Sequence, residues 1–363
     1  MLEPDDFGLS VAATLARVGD PRPPAEFRTF WSRWREMVSA LNPRLHPVRE
    51  PDPSDTSATH EFESVQSVRI GCRFVRPPAS GPTHAGLVVL HGYADPEPMD
   101  EQQRRWSGLI DRGVAVLILR VRGYPGSTLD TGLLTAAPGG WISHGLETAI
   151  DERSGQSAWS LSGAVADVVC AVRALRAAVP TGAGVFMHGE SLGGALAVLA
   201  SAQLGPMAPQ RLGLALPSFG DWPWRLHRVS HPLGAAEDVQ GVLVRHAREV
   251  DRVTNTLRLF DTVLHAPRVR GPMLCKLAER DEVVPAPSAA AVFNALSPSP
   301  TERWRYVTRY GHFDGGLADA RRHAMFERVV DVFFDPAQEP GEGVFEWVKR
   351  ESARRGDGPL AEG

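Results

Sequence analysis

Ser191 stands between Gly189 and Gly193 in the run Val185-Phe-Met-His-Gly-Glu-Ser-Leu-Gly-Gly194. An apolar strand leads into it and a good helix former follows, so the spacing predicts a sharp strand-to-helix turn with a serine hydroxyl held clear of a sheet. The two glycines keep side chains out of a turn too tight to hold them. The helix expected from Leu192 to about Leu204 would aim its free N–H groups at the negative oxygen that forms when a serine attacks an acyl group. Such chemistry is nucleophilic acyl transfer, and the hydroxyl needs a base because it is a weak nucleophile at its own pKa.

With this kind of turn the partners follow in the order Ser, Asp or Glu, His. Asp281 lies in PMLCKLAERDEVVP and His312 in WRYVTRYGHFDGG, each just past an apolar run. Both are expected on loops at the C-terminal ends of strands, where open parallel sheets build their sites. His312 would take and return the serine proton, while Asp281 fixes its tautomer and offsets the imidazolium charge. Glu279 and Glu282 are rivals for the acid position, and Asp314 stands close to the histidine. His91 is expected to pack or shape the pocket, and His188 to be buried. The oxyanion donors would be the backbone N–H of Leu192 and that of Tyr93, in the loop after the strand Leu87 to Leu90.

The elements that must position these groups alternate. The strands GLVVL, VAVLILR, GVFMH, LGLALP, PMLCKLA and RWRYVT are separated by helical stretches such as Leu161 to Ala178. That alternation predicts an α/β fold, a mostly parallel doubly wound sheet covered on both sides. Alternating residues around HEFESVQSVRIGCRFVRP predict antiparallel strands at a sheet edge. Phe27, Phe30, Trp31, Trp34 and Met37 recur at helical spacing, a stripe expected to pack on the core or on a neighbouring subunit. We divide the chain into an N-terminal extension and connector (1–58), a catalytic domain (59–335) with a cap insertion over the pocket (219–270), and a tail (336–363) holding a short helix at VFEWVKRES.

The 363 residues carry a net charge of −4. Acidic and basic residues are dispersed, so no basic track for nucleic acid is expected. No run reaches the length of a membrane span and the first ten residues lack a secretory pattern, which predicts a cytoplasmic protein. Cys72, Cys170 and Cys275 are sparse and in apolar surroundings, reading as buried thiols rather than disulfides or a zinc site. No metal or cofactor is implied.

The chain also resembles the acetyl xylan esterase and cephalosporin C deacetylase family of serine esterases over roughly residues 25 to 335. AEFRTFWSRW looks like the family's N-terminal DF..FW helix, HGYAD like its HGY loop and RVRGYPGS like its D.RGQG.S segment. GESLGG stands for G.SQGG, LRLFDTVLHAPRVRGP for..YFD..N.A..I..P, and DEVVP for D..cPP. The resemblance implies an α/β-hydrolase fold with Ser191, Asp281 and His312 on the family's triad and Tyr93 and Leu192 on its oxyanion donors. It also implies a short-acyl deacetylase and a homo-oligomer, commonly a hexamer. The chain departs from the pattern at Leu192 (usually Gln), at Arg120 (usually Asp), at Tyr124-Pro125 within the RGQG turn, at His265 (usually Asn), and after His312, where FDGG replaces the usual Glu. Arg122 is expected to be a buried structural cation paired with a carboxylate. Hydrolysis of a short acyl ester, most simply acetyl, on a sugar or secondary metabolite is the leading expectation. Acetate elimination and a non-catalytic binding role are the alternatives.

Overall fold

A computed structural model of the chain describes residues 5–48, 57–79, 81–93, 97–127, 140–151, 159–297, 302–313 and 315–341. The tail segment VFEWVKRES and Asp314 lie outside them.

Among the described residues nine strands form one sheet: β1 (His46–Pro47), β2 (His60–Glu63), β3 (Arg69–Val75), β4 (Ala85–Leu90), β5 (Val114–Leu119), β6 (Gly184–Glu190), β7 (Arg211–Ala215), β8 (Met273–Arg280) and β9 (Arg303–Tyr310). Their order is β1-β2-β3-β5-β4-β6-β7-β8-β9. The first three pair antiparallel with one another, and β3 pairs antiparallel with β5. From β5 onward all pairs are parallel. Every residue of β4 and β5 is buried, as strands covered on both faces must be. Edge strand β9 instead buries only alternate residues.

Helices α1 (Val11–Leu15) and α2 (Phe27–Ser39) precede the sheet, and α3 (Met99–Arg105) and α4 (Ser107–Asp111) join β4 to β5. Then come α5 (Gly140–Ser143), α6 (Leu146–Asp151), α7 (Ser160–Ala178) before β6, and α8 (Leu192–Leu204) after it. The helices α9 (Trp222–Arg228), α10 (Ala235–Arg245), α11 (Val250–Leu259) and α12 (Thr262–His265) lie between β7 and β8, within the segment 219–270. Finally α13 (Ala286–Ala295) and α14 (Gly316–Phe333) flank β9.

Each face of the sheet has its own core. One holds the apolar residues of α2, α7, α8 and α13, the other Trp106 of the α3–α4 junction with Met325, Phe326 and Phe333 of α14. Val198 and Leu199 of α8, like most of that helix, are buried, because it runs between the sheet and a second layer.

The aromatic stripe of α2 is consumed inside the chain. Phe27, Phe30, Trp31 and Trp34 are buried, Trp31 meets the Phe260 ring at 5.0 Å, and its indole N–H donates to the Leu259 carbonyl at 2.8 Å. Nearby, Arg17 pairs with Asp221 at 2.5 Å, and the Asn294 amide donates to the carbonyls of Leu15 and Arg17. The three cysteines are buried free thiols. Among the described residues no helix is long and apolar enough to cross a membrane.

Candidate active site

The turn from β6 to α8 carries Ser191 at φ 54°, ψ −112°, a strained conformation for a residue with a side chain. The close approach that holds it explains both glycines. A Cβ on Gly189 would stand 2.2 Å from the Gly193 carbonyl oxygen, and one on Gly193 2.7 Å from the carbonyl oxygens of Leu90 and His91. Ser191 N–H donates to Ala215 at 2.8 Å, and its carbonyl accepts from Ala195 and Ser218. The backbone is therefore fixed from both sides while the side chain faces a cavity.

Asp281 follows β8 directly and is wholly buried. Its Oδ1 accepts the N–H groups of Val283 and Val284 at 3.0 and 3.2 Å. Its Oδ2 accepts from His312 Nδ1 at 2.7 Å, which leaves His312 Nε2 as the basic nitrogen. Of the rival carboxylates, Glu282 accepts instead from the Asp5 backbone at the surface. The structure brings Asp281, not Glu282 or Glu279, to the histidine. Gly311 makes the pair sterically feasible, since a Cβ there would lie 1.7 Å from Asp281 Oδ2. Gly311→Ala is therefore expected to lower kcat about a hundredfold by displacing the imidazole, with KM little changed. Steady-state kinetics on a short-chain ester check it.

Ser191 and His312 line one cavity of about 450 Å³ with Tyr93, Gly234 and Val283. No hydrogen bond joins Ser191 to His312 here, a contact that commonly tightens only with substrate. The Leu192 N–H opens α8, where helix geometry supplies no intrahelical acceptor. Tyr93 is braced on three sides. Its hydroxyl donates to Asp238 of α10 and accepts the Ile142 N–H at 3.1 Å, and its carbonyl accepts the Tyr124 hydroxyl at 2.9 Å. The unusual Tyr124 thus supports the loop that carries Tyr93.

Three further buried histidines, His91, His188 and His265, are held by packing and backbone contacts. His91 Nδ1–H donates to the Gly92 carbonyl at 2.7 Å and Nε2 accepts from the Val121 N–H. His188 packs between Trp106 and Phe334, and His265 Nε2–H donates to the Leu259 carbonyl. Burial lowers all three to about 3. A depressed histidine contributes stability that is present above its unfolded value near 6.5 and lost as pH falls toward 3. Asp261, which burial pushes up to about 6 against the pull of Arg258, opposes this by one proton between about 6 and 4. The unfolding free energy is accordingly expected to fall as pH drops from 6.5 to 5, at up to about 1.4 kcal/mol per pH unit for each histidine before that offset, and the denaturant midpoint with it. A midpoint that holds constant over that range would contradict the neutral assignment.

Arg122 is 3% exposed, and Asp167 of α7, 0% exposed, accepts from its Nε, its Nη2 and its backbone N–H. This is the carboxylate partner that the sequence left unnamed. An aspartate in the middle of SLSGAVADVVCAV was the available signal, because an ion buried in an apolar helix must be paired. Asp238, the anchor of Tyr93, had no such signal. Buried Arg120 donates to the Glu97 carbonyl.

The family model described as acetyl xylan esterase (AXE1) matches residues 16–329. No curated protein matches the sequence. Among solved structures, an acetyl xylan esterase from Paenibacillus sp. aligns at a TM-score of 0.67 and 19% identity, over 88% of this chain and 99% of that one. Acetyl xylan esterase 1 from Thermoanaerobacterium sp. aligns at 0.61 and 20%, over 87% and 97%. At these identities the structural likeness is one of fold, an α/β-hydrolase.

Proposed function

Because this chain belongs to the acetyl xylan esterase family of carboxylesterases, we propose that it hydrolyses a short acyl ester, most simply an acetate, through an acyl-enzyme on Ser191. The observation that carries the reading is the Asp281–His312 pair at 2.7 Å on the same cavity as the strained Ser191.

His312 Nε2 takes the Ser191 proton as Oγ attacks the ester carbonyl. The Leu192 and Tyr93 N–H groups receive the oxyanion, each worth about 3 kcal/mol in the transition state. His312 then protonates the departing alcohol, and a water activated by the same nitrogen releases the acid. Asp281, itself held by two backbone donors, keeps Nδ1 protonated throughout.

A cavity of about 450 Å³ accommodates a small or medium-sized oxygenated molecule such as a sugar or a secondary metabolite. In the domain reading, the segment 219–270 is the cap over this cavity, which Gly234 lines and to which Asp238 ties the Tyr93 loop. A hexamer remains part of the proposal on the family resemblance, with a light-scattering mass as its check.

Two measurements test the chemistry. An acyl-length series of nitrophenyl esters should peak at acetate. Turnover in H₂¹⁸O should place solvent oxygen in the released acid; acid without label would mean elimination, and no turnover of any ester by folded protein would favour a binding role.

A further inference from the structure

Behind the nucleophile turn, charged side chains cross the sheet along one rung. Glu190, the residue before Ser191, pairs with Ala215, Ala215 with Lys276, and Lys276 with Tyr306. Ala215 carries only a methyl group, so Lys276 can reach over β7, and its Nζ lies 3.0 Å from Glu190 Oε1. The ammonium is buried, 5.2 Å from the Phe326 ring centroid and 3.5 Å from His323 Nδ1.

His323 and Asp319 lie one turn apart on α14. His323 Nε2 is 3.2 Å from the Tyr310 carbonyl, and Asp319 accepts the N–H groups of Arg309 and Tyr310 at 2.9 and 3.1 Å. With the histidine proton on Nε2, Nδ1 is free to accept from Lys276. Both backbone groups of Tyr310 are thus held from α14, two residues before His312. One end of the chain of contacts is the residue before Ser191, and the other holds Tyr310, two residues before His312.

A lysine is expensive to bury, and an apolar side chain would fill its space at lower cost. Lys276 and Lys349 are the only lysines in a chain that otherwise uses arginine. The rung over Ala215 suits a compact ammonium better than a planar guanidinium. Burial acts to raise the Glu190 carboxyl, but Lys276, aided by His188 and Arg105, holds the group down at about 2.

We propose that Glu190, Lys276, His323 and Asp319 are one positioning unit that holds the nucleophile turn and the base loop in register. The proposal rests on the reading that Ser191 and His312 carry the chemistry. None of the four is asked to touch the reacting atoms.

The test compares the full chain with Glu190→Gln, Lys276→Met and the double variant on nitrophenyl acetate, with active sites counted by fluorophosphonate titration. Each single change should lower kcat per titrated site about tenfold with KM within about twofold, since small displacements of reacting groups are costly. The double variant should lose no more than the worse single, as for residues that act together. A merely structural pair would reduce the titratable fraction and leave kcat per site unchanged. Glu190→Gln leaves the buried Lys276 ammonium without its carboxylate, so if it fails to fold the double variant, which removes that charge, carries the comparison. The proposal is overturned if the double variant keeps kcat per site within about twofold of wild type, or if the single losses multiply. Ser191→Ala run alongside separates the two readings: retained turnover there would remove the premise, whereas a dead Ser191→Ala beside unaffected network variants would remove only the network.

Discussion

Ser191→Ala is expected to lower kcat on short-chain esters by about a millionfold, the scale on which loss of an activated serine acts. The substitution removes one oxygen from a turn held by backbone bonds to Ala215, Ala195 and Ser218, so fold and thermal midpoint should survive. What remains is the catalysis that oxyanion donors and binding supply without a nucleophile. Nitrophenyl acetate kinetics beside a fluorophosphonate label decide it. A variant that keeps a tenth of the activity would mean that no acyl-enzyme forms on this residue.

Asp281→Asn should follow, with a loss of about ten-thousandfold in kcat. The size comes from a tautomer rather than from a missing charge alone. Val283 and Val284 donate to Oδ1, so the amide oxygen of an asparagine is required at that position and its NH₂ group is turned toward His312. Nδ1 must then accept a hydrogen bond, the imidazole proton moves to Nε2, and the nitrogen meant to receive the serine proton is already occupied. The backbone bonds persist, so the protein should stay folded. If Asp281→Asn retains near-normal kcat while Glu279→Gln or Glu282→Gln abolishes it, the acid has been assigned to the wrong carboxylate.

Much of the fold could be read because the information was local. The apolar runs that became β4 to β9 and the helix beginning at Leu192 announce themselves by period, length and flanking glycines. The antiparallel edge, β2 and β3, followed from alternation in the same way. Composition placed the three thiols in the interior. What could not be read was pairing across sequence distance. Arg122 invited a carboxylate, yet its partner lies 45 residues away, and Tyr93 meets Asp238 across 145. The stripe on α2 was plain, but its destination was not: a helix face facing Phe260 and His265 of the same chain has the pattern of one facing a second subunit. Glu190 and Lys276 are 86 residues apart, and only the register through Ala215 makes them neighbours.

The contacts of the first forty residues carry a consequence for how the enzyme is built. Arg17 grips Asp221 at the start of α9, Arg258 near the end of α11 donates to the carbonyls of Asp20 and Arg22, and Trp31 fastens the Leu259 carbonyl beyond it. The N-terminal segment thus works as a strap buckled at both roots of the helical insertion between β7 and β8. That insertion contributes Gly234 to the cavity wall and Asp238 to the loop of Tyr93. Trimming the chain at its front would slacken the wall of a chamber formed far downstream, so the boundary near residue 58 divides the sequence without dividing the machine.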